Sequence, residues 1–411
     1  MATTVFTNAR VFDGTAFLDR PADVVVVDDV VTDIEPHGGL RWEEGADVVD
    51  CTGRTLLPGL IDAHVHVLFS NAGGLDMVNQ PFSRQFYLSV RNLHATLAAG
   101  ITTVRDAGGA DLGTKHAIAE GLVPGPRMKI SVNVMSQTGG HADNWMPSGA
   151  LLPFMEAHPG RPDGIADGPE EARKVARLMF RAGADQVKIC TTGGVLSAMD
   201  DPHHTQFTLA EIRAVVEEAQ AHGSYVLAHA QGTEGIKNAL RAGVRSIEHG
   251  VYLDEEAIGM MLEAEAYLVP TLVAPLAVVR NAERGVAAIP PQVLDKARRV
   301  VDAHRESVQH AFEAGVRIAM GTDSGVGEHG DNLEELALYA ALGMDLEQVL
   351  ASTTSVAADL VAPEWHVGRV QEGWTADLVV LDTDLTSVDQ LPSLREHIAA
   401  VYLGGRRVAG S

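Results

Sequence analysis

Ala242-Gly243-Val244-Arg245-Ser246-Ile247-Glu248-His249 carries the rule by which this chain is built. An amphipathic segment stops at a glycine, the favoured residue just past a helix. A short apolar strand follows and ends in a side chain fit for chemistry. The same junction recurs at Ala99-Gly100 before residues 101–106, at Ala182-Gly183 before 185–189, at His222-Gly223 before 225–229 and at Ala314-Gly315 before 316–323. Helix starts agree: Thr208-x-x-Glu211 reads as a capping box, Pro169 suits a first helical position, and Asp331 can cap a helix from Leu333. Strands at 60–67, 128–134 and 267–272 bring the count to eight. Repeated βα units of this number predict an α/β fold, a TIM-type (β/α)8 barrel with its site at the C-terminal strand ends. An open doubly wound sheet is the alternative, but no Gly-x-Gly-x-x-Gly follows the first strand.

The barrel reading covers residues 58–364. On either side the texture changes to short strands separated by turns, as at Asp13-Gly14 and Asp28-Asp29. Residues 1–57 plus 365–411 are therefore expected to form one small β-sandwich domain from both termini. With 411 residues, 46% of them hydrophobic, the chain is long enough for both parts. A net charge of −24 argues against nucleic acid, whose phosphates need a basic surface. No apolar run is long enough to span a bilayer, so no membrane is expected. The first residues lack a basic-then-apolar leader, and two cysteines, Cys51 and Cys190, make no disulfide framework. Both readings point to the cytoplasm.

Chemistry gathers at the predicted rim. In Gly59-Leu60-Ile61-Asp62-Ala63-His64-Val65-His66 the two histidines stand two apart, so a strand projects both from one face. Lys188 on the fourth strand, His229 on the fifth, His249 on the sixth and Asp323 on the eighth join them. Singly, each has a plainer reading: His229 as a core histidine, Asp323 as a helix cap, Lys188 as the partner of a carboxylate. Together, four imidazoles, a carboxylate and a lysine at one mouth suit one or two metal ions. The chain has only six lysines. Buried among cations, Lys188 would lose its proton, and a neutral amine can add CO₂ to become an anionic bridging carbamate. The other strand lysine, Lys129, begins its strand and falls at the opposite, stability face.

His64-x-His66, Lys188, His229, His249 and Asp323, in that order, resemble the amidohydrolase superfamily in its binuclear form. The stretches 138–143, 191–197, 246–250 and 268–272 are similar to its prolidase-like subgroup, which hydrolyses dipeptides and N-acyl amino acids; imidazolonepropionase is a more distant relative. The resemblance implies two divalent ions, zinc first among them. His64, His66 and Asp323 would hold the more buried ion and His229 and His249 the outer one, with N6-carboxylated Lys188 between. A hydroxide bridging the metals would attack an amide carbonyl while Asp323 serves as general base and then general acid. His141, after the third strand, and Tyr252, three residues past His249, are candidate contacts for the oxyanion or a substrate carboxylate. Their plain readings are a solvated loop histidine and a tyrosine at the barrel edge. His203 and His204 are either pocket or solvent residues. The connection 274–291 reads as a lid, with Arg280 a candidate for an anionic substrate group. The expected partner is a small-molecule amide, and the expected assembly a homo-oligomer. Competing readings are a superfamily deaminase or cyclic-amide hydrolase, in which Lys188 would have little purpose, and a non-catalytic binding protein, which usually loses a ligand.

Overall fold

The five junction glycines all take positive φ, from 67° at Gly223 to 94° at Gly183, so each helix ends in a left-handed turn that costs glycine little. The structure is a computed structural model that describes residues 2–42, 44–70, 79–146, 148–197, 200–285 and 289–410. Its amino-terminal strands are β1 (Thr3–Val11), β2 (Ala22–Val27), β3 (Val30–Pro36), β4 (Asp47–Asp50) and β5 (Thr55–Pro58). Then β6 (Leu60–Val65), β7 (Ile101–Asp106) and β8 (Arg127–Ile130) pair in parallel. A second parallel array runs through β9 (Val134–Met135), β10 (Val187–Cys190), β11 (Val226–Ala230), β12 (Ser246–His249), β13 (Tyr267–Val269) and β14 (Arg317–Ile318).

Between these strands lie α1 (Arg84–Ala98), α2 (Leu112–Ala119), α3 (Pro169–Arg181), α4 (Leu209–Ala221), α5 (Thr233–Ala242), α6 (Glu255–Glu263), α7 (Val273–Arg284) and α8 (Pro291–Glu313). After β14 come α9 (Glu334–Ala341), α10 (Leu346–Ser352) and α11 (Ser355–Val361). Alternate strand residues such as Ile101, Ile189 and Ile247 share one core with Leu97, Val175, Ile236 and Met261 of the helices. Burial of each such side chain stabilises the fold by about 1.5–3 kcal/mol.

The strand expected at 128–134 is two pieces, β8 and β9, because Val132 sits at φ 66° and breaks the ladder. The last strand is also shorter than expected. Beyond Ile318 the chain stays alongside β6 through its backbone: Ala63 N donates to the Met320 carbonyl (2.8 Å), Asp323 N to that of His64 (2.7 Å) and His66 N to that of Ser324 (2.7 Å). First and last strand segments thus lie side by side, and the architecture is TIM-barrel-like.

At the carboxyl end, β15 (Leu378–Leu381), β16 (Ile398–Leu403) and β17 (Arg406–Gly410) join the amino-terminal strands in the order β17-β16-β15-β5-β1-β2-β3, with β4 also on β1. One sandwich-like domain from both termini was expected, and hydrogen bonds do join strands of the two termini along one path. The cause is β1, which shifts register between Phe6 and Ala9, with Asn8 at φ 56°, and so serves β4 on one side of the break and β5 on the other. Its side chains enclose a second core, in which Phe6 meets Tyr402 edge-on.

Pro169 opens α3, and both arms of the Thr208–Glu211 capping box form. Asp331 caps nothing, since its carboxylate pairs with Arg395 instead. The expected lid at 274–291 is largely α7, with Ala274, Ala277 and Val278 turned into the core; residues 286–288 lie outside the described residues. Among the described residues no helix is long and apolar enough to cross a membrane.

Candidate metal centre

The strand ends bring His64, His66, Lys188, His229, His249 and Asp323 together, each 9% exposed or less. His64, His249 and Asp323 offer ligand atoms that all lie within 4.8 Å of one another. His66 reaches the same carboxylate, its Nε2 lying 3.1 Å from Asp323 Oδ1. His64 Nε2 is 3.5 Å from that oxygen and 3.5 Å from Lys188 Nζ. The ring of His229 packs 4.6 Å from that of His249. The tightest triad therefore contains His249 where the resemblance puts His66; His64 and Asp323 belong to both groupings.

Two of these ligands depend on unusual backbone. Glu248 points to the buried interior, so strand alternation alone would turn His249 away from it. His249 instead has φ 72°, and Asp323 has φ 56°. Left-handed conformations cost a non-glycine residue about 1–3 kcal/mol and gather at functional sites.

Each histidine is anchored from behind. His66 Nδ1 donates to the Gly108 carbonyl (2.7 Å), and His229 Nε2 donates to that of Gly193 (3.0 Å). His64 Nδ1 meets Glu248 Oε2 (2.7 Å), and His249 Nδ1 meets Thr271 Oγ1 (2.7 Å). A carbonyl only accepts, so Nδ1 of His229 keeps its lone pair, while Nε2 of His66 faces the Asp323 carboxylate. A carboxylate behind His64 likewise leaves Nε2 free. Such backing fixes tautomer and ring orientation at metal sites.

Glu248 is held by Arg105, whose Nη2 lies 2.9 Å from both carboxylate oxygens, and by Ser246 Oγ at 2.6 Å. Arg105 also donates to the Ala63 carbonyl. Asp106 accepts the backbone N–H groups of Val67, Gly108 and Ala110, and thereby braces the turn whose Gly108 carbonyl holds His66.

Electrostatics fit an ion-binding cavity. Burial, then the Lys188 charge, holds His64 well below the usual imidazole range. Burial also lowers His229 and His249, reinforced by neighbouring imidazoles. Burial pushes the Lys188 amine below its ordinary range. At Asp323 burial acts upward, but His64 and His66 outweigh it and the carboxyl stays low. His66 runs the other way: burial acts downward, but the Asp323 carboxylate holds its imidazole above the ordinary range. The lone pairs of His64, His229 and His249, an ionised carboxylate and a readily deprotonated amine form a donor set that a divalent cation would complete. The residues fit the group.

A sequence profile of the amidohydrolase family matches residues 55–408. The chain belongs to the amidohydrolase family. The ochratoxinase of Aspergillus niger is 32% identical over 375 residues, which cover 86% of this chain and 76% of that protein. A Xaa-Pro dipeptidase solved with methionine in its active site is 31% identical, covers 99% of both chains and superposes with a TM-score of 0.88. A prolidase solved with N-methylphosphonate-L-proline is 35% identical, covers 100% of both chains and gives a TM-score of 0.90.

In this amidohydrolase His141 stands at the pocket. Its ring stacks on His229 at 4.1 Å, and its Nδ1 meets Ser197 Oγ (2.8 Å) with Asp200 at 3.5 Å. Burial pushes the Asp200 carboxyl up, but the hydrogen bond and charge of His141, aided by Ser197, bring it below the usual range. Tyr252 stacks on His203 at 4.3 Å and packs beside Val251 and Val278, outside the residues lining the cavities; His203 and His204 are largely exposed. Arg280 stands apart from the cluster: its guanidinium pairs with Glu334 at 2.9 and 3.1 Å, and it is not among the residues lining either cavity.

Sequence reasoning passed over Arg105, Glu248, Thr271 and Asp200. An arginine inside the apolar strand 101–106 and a glutamate beside His249 were the visible signals for the first two.

Proposed function

We propose that this amidohydrolase hydrolyses the amide bond of a dipeptide or N-acyl amino acid with two divalent ions, zinc in the first instance. His64, His66, His229, His249 and Asp323 would hold them, with Lys188 between as its N6-carboxylate. The observation that carries this reading is the set of four histidines, each hydrogen-bonded from behind, converging with Lys188 and Asp323 on one buried volume. When bound, the ions would lower the pKa of a water and polarise the substrate carbonyl.

The protein's own groups do the rest. Asp323, kept ionised by His64 and His66, accepts the proton of the attacking water and returns it to the leaving amine. His141, fixed by Ser197 and Asp200, faces the pocket and donates toward the carbonyl oxygen or the substrate carboxylate. Named activities of the relatives, ochratoxinase and Xaa-Pro dipeptidase, support amide hydrolysis.

The parallel strands are read as a (β/α)8 barrel over residues 58–364, with 1–57 plus 365–411 as the terminal domain. Two unpaired, buried cysteines support a cytoplasmic setting. A homo-oligomer is the assembly to test by sedimentation. The test of function is a metal count with a dipeptide and N-acyl amino acid screen before and after chelation. About two ions per chain with chelation-sensitive hydrolysis is the expected result. Fewer than one ion, or amide hydrolysis indifferent to chelation, would overturn the reading.

A further inference from the structure

The connection from β13 to β14 carries two helices, α7 and α8, and the second turns a polar face inward. Lys296, His304 and Ser307 fall on one side of α8, each 5% exposed or less. All three donate to main-chain carbonyls at the rim. His304 Nε2 reaches that of His249 (2.8 Å) and Ser307 Oγ that of Gly250 (2.6 Å), at the end of β12. Lys296 does the same after β10: its Nζ meets the carbonyls of Gly194 (2.6 Å), Ser197 (2.5 Å) and Asp200 (3.0 Å).

An ammonium has three N–H donors and no acceptor, so it matches three converging carbonyls as no neutral side chain can. The setting is otherwise apolar, with Val195, Val293, Ala297 and Val300 in one buried cluster. A charge there is costly unless it is hydrogen-bonded. Lys296 is not among the residues lining either cavity, so the charge serves the protein's own backbone.

The gathered backbone is the one that holds His141. His141 Nδ1 donates to Ser197 Oγ (2.8 Å), and the Ser197 hydroxyl donates in turn to the Asp200 carboxylate. That carboxylate also accepts the Gly194 N–H (3.2 Å) and Gln206 Nε2 (3.0 Å), while Gln206 Oε1 accepts the His141 N–H (2.8 Å). Gly194 lies directly against the ring, since a Cβ there would stand 2.3 Å from His141 Cε1. Gly194, Ser197 and Asp200, which meet His141, are thus the same three residues whose carbonyls converge on Lys296.

Resting on the proposed role of His141 in amide hydrolysis, we infer that Lys296 is a positioning residue for that reaction. Its ammonium gathers Gly194, Ser197 and Asp200 and so fixes the His141 ring over His229. Without the cation the three carbonyls repel one another, and the ring loses its support. A displacement of about 1 Å at a reacting group costs about 100-fold in rate.

The test is a double-mutant cycle on the metallated enzyme, read as kcat with the best substrate of the dipeptide and N-acyl amino acid screen. Lys296→Met should lower kcat about 10–100-fold and keep the metal count of wild type, and His141→Gln should lower it about 100-fold or more. The double variant should be no slower than His141→Gln alone, because Lys296 acts through that ring. Losses that multiply would overturn the assignment. So would a loss of metal in Lys296→Met, which would place Lys296 behind His229 through the adjoining Gly193 carbonyl. Should Lys296→Met fail to fold, Ser197→Ala keeps the clamped carbonyl and removes only the hydroxyl on His141. It should lose about tenfold in kcat, and wild-type turnover there would break the link. Hydrogen exchange of the metal-free protein reads the clamp without the reaction. The amides of Gly193, Gly194 and Gln206 should exchange about tenfold faster in Lys296→Met, and those of β11 at the wild-type rate. Unchanged exchange at the three amides would overturn the clamp. A wild-type enzyme that hydrolyses none of the screened compounds would sink the amide reading alone, with the exchange result still deciding the clamp.

Discussion

Glu248→Gln separates metal support from metal ligation, because Glu248 touches no proposed metal position yet holds His64 from behind. Its carboxylate is fully buried and receives three donors: Arg105 Nη2 at 2.9 Å to both oxygens, Ser246 Oγ at 2.6 Å and His64 Nδ1 at 2.7 Å. Glutamine keeps the size but removes the charge, and Arg105 remains as a buried cation without its partner. Breaking a buried ion pair from one side costs about 3–5 kcal/mol. The second effect is on the tautomer. A glutamine that turns its NH₂ toward His64 favours the imidazole with hydrogen on Nε2, which removes the lone pair facing the cavity. Loss of such backing lowers metal affinity by about 10–100-fold, or ~1.4–2.7 kcal/mol. Denaturant unfolding of the metal-free protein reads the first effect, and competition with a chelating dye reads the second. Adding Arg105→Met to Glu248→Gln should recover part of the stability but none of the affinity. Wild-type metal affinity in the single variant would refute the anchoring of His64 by Glu248.

Three other outcomes follow from the same geometry. Asp323→Asn should keep much of its metal yet lose about 10³-fold or more in kcat; near wild-type turnover would remove the proton-transfer role. Lys188→Ala should be poorly metallated and partly restored by short carboxylic acids, whose oxygens replace the bridge; full two-metal occupancy without them would refute that role. Burial pushes the Glu335 carboxyl up to about 8 from its ordinary 4.5, although it accepts the Leu272 and Val273 N–H groups at the start of α7. Between those values the folded state holds a proton that the unfolded chain releases, so this residue's contribution falls as pH rises. Denaturation from pH 5 to 8.5 should show Glu335→Gln gaining on wild type by a few kcal/mol in order of magnitude, and a constant difference would refute it.

Much of the site was legible because it follows period and punctuation. Two histidines two apart on a strand must share a face, and a helix that ends at glycine before an apolar strand repeats visibly. The proposed ligand positions at the ends of β6, β10, β11 and β12 came from those two rules alone. Failures came where one residue serves distant partners. Arg280 looked available in a supposed loop, but α7 is amphipathic and sets that guanidinium against Glu334, 54 positions away. Asp331 looked like a cap until Arg395 claimed it. Arg105 and Glu248 are 143 positions apart, and no local pattern joins them.

The backbone at His249 shows why one neighbour of a ligand was found and the other was not. Period-two reasoning allows Glu248 or His249 to face the barrel interior, not both, and the sequence reading chose the histidine. The protein uses both: Glu248 keeps the strand conformation and reaches Arg105 and His64, and His249 turns by a left-handed φ of 72° into the mouth. That turn is held by the Thr271 hydroxyl on the ring and by His304 Nε2 on the His249 carbonyl, while Thr271 itself sits at φ 59°. Strain of about 1–3 kcal/mol at each such residue persists only where surrounding bonds over-determine it. A strand that must both carry a proposed ligand, His249, and brace another, His64, has to break its own alternation at the last residue. The same break at Asp323, φ 56°, places the proposed proton-transfer group beside His64 and His66.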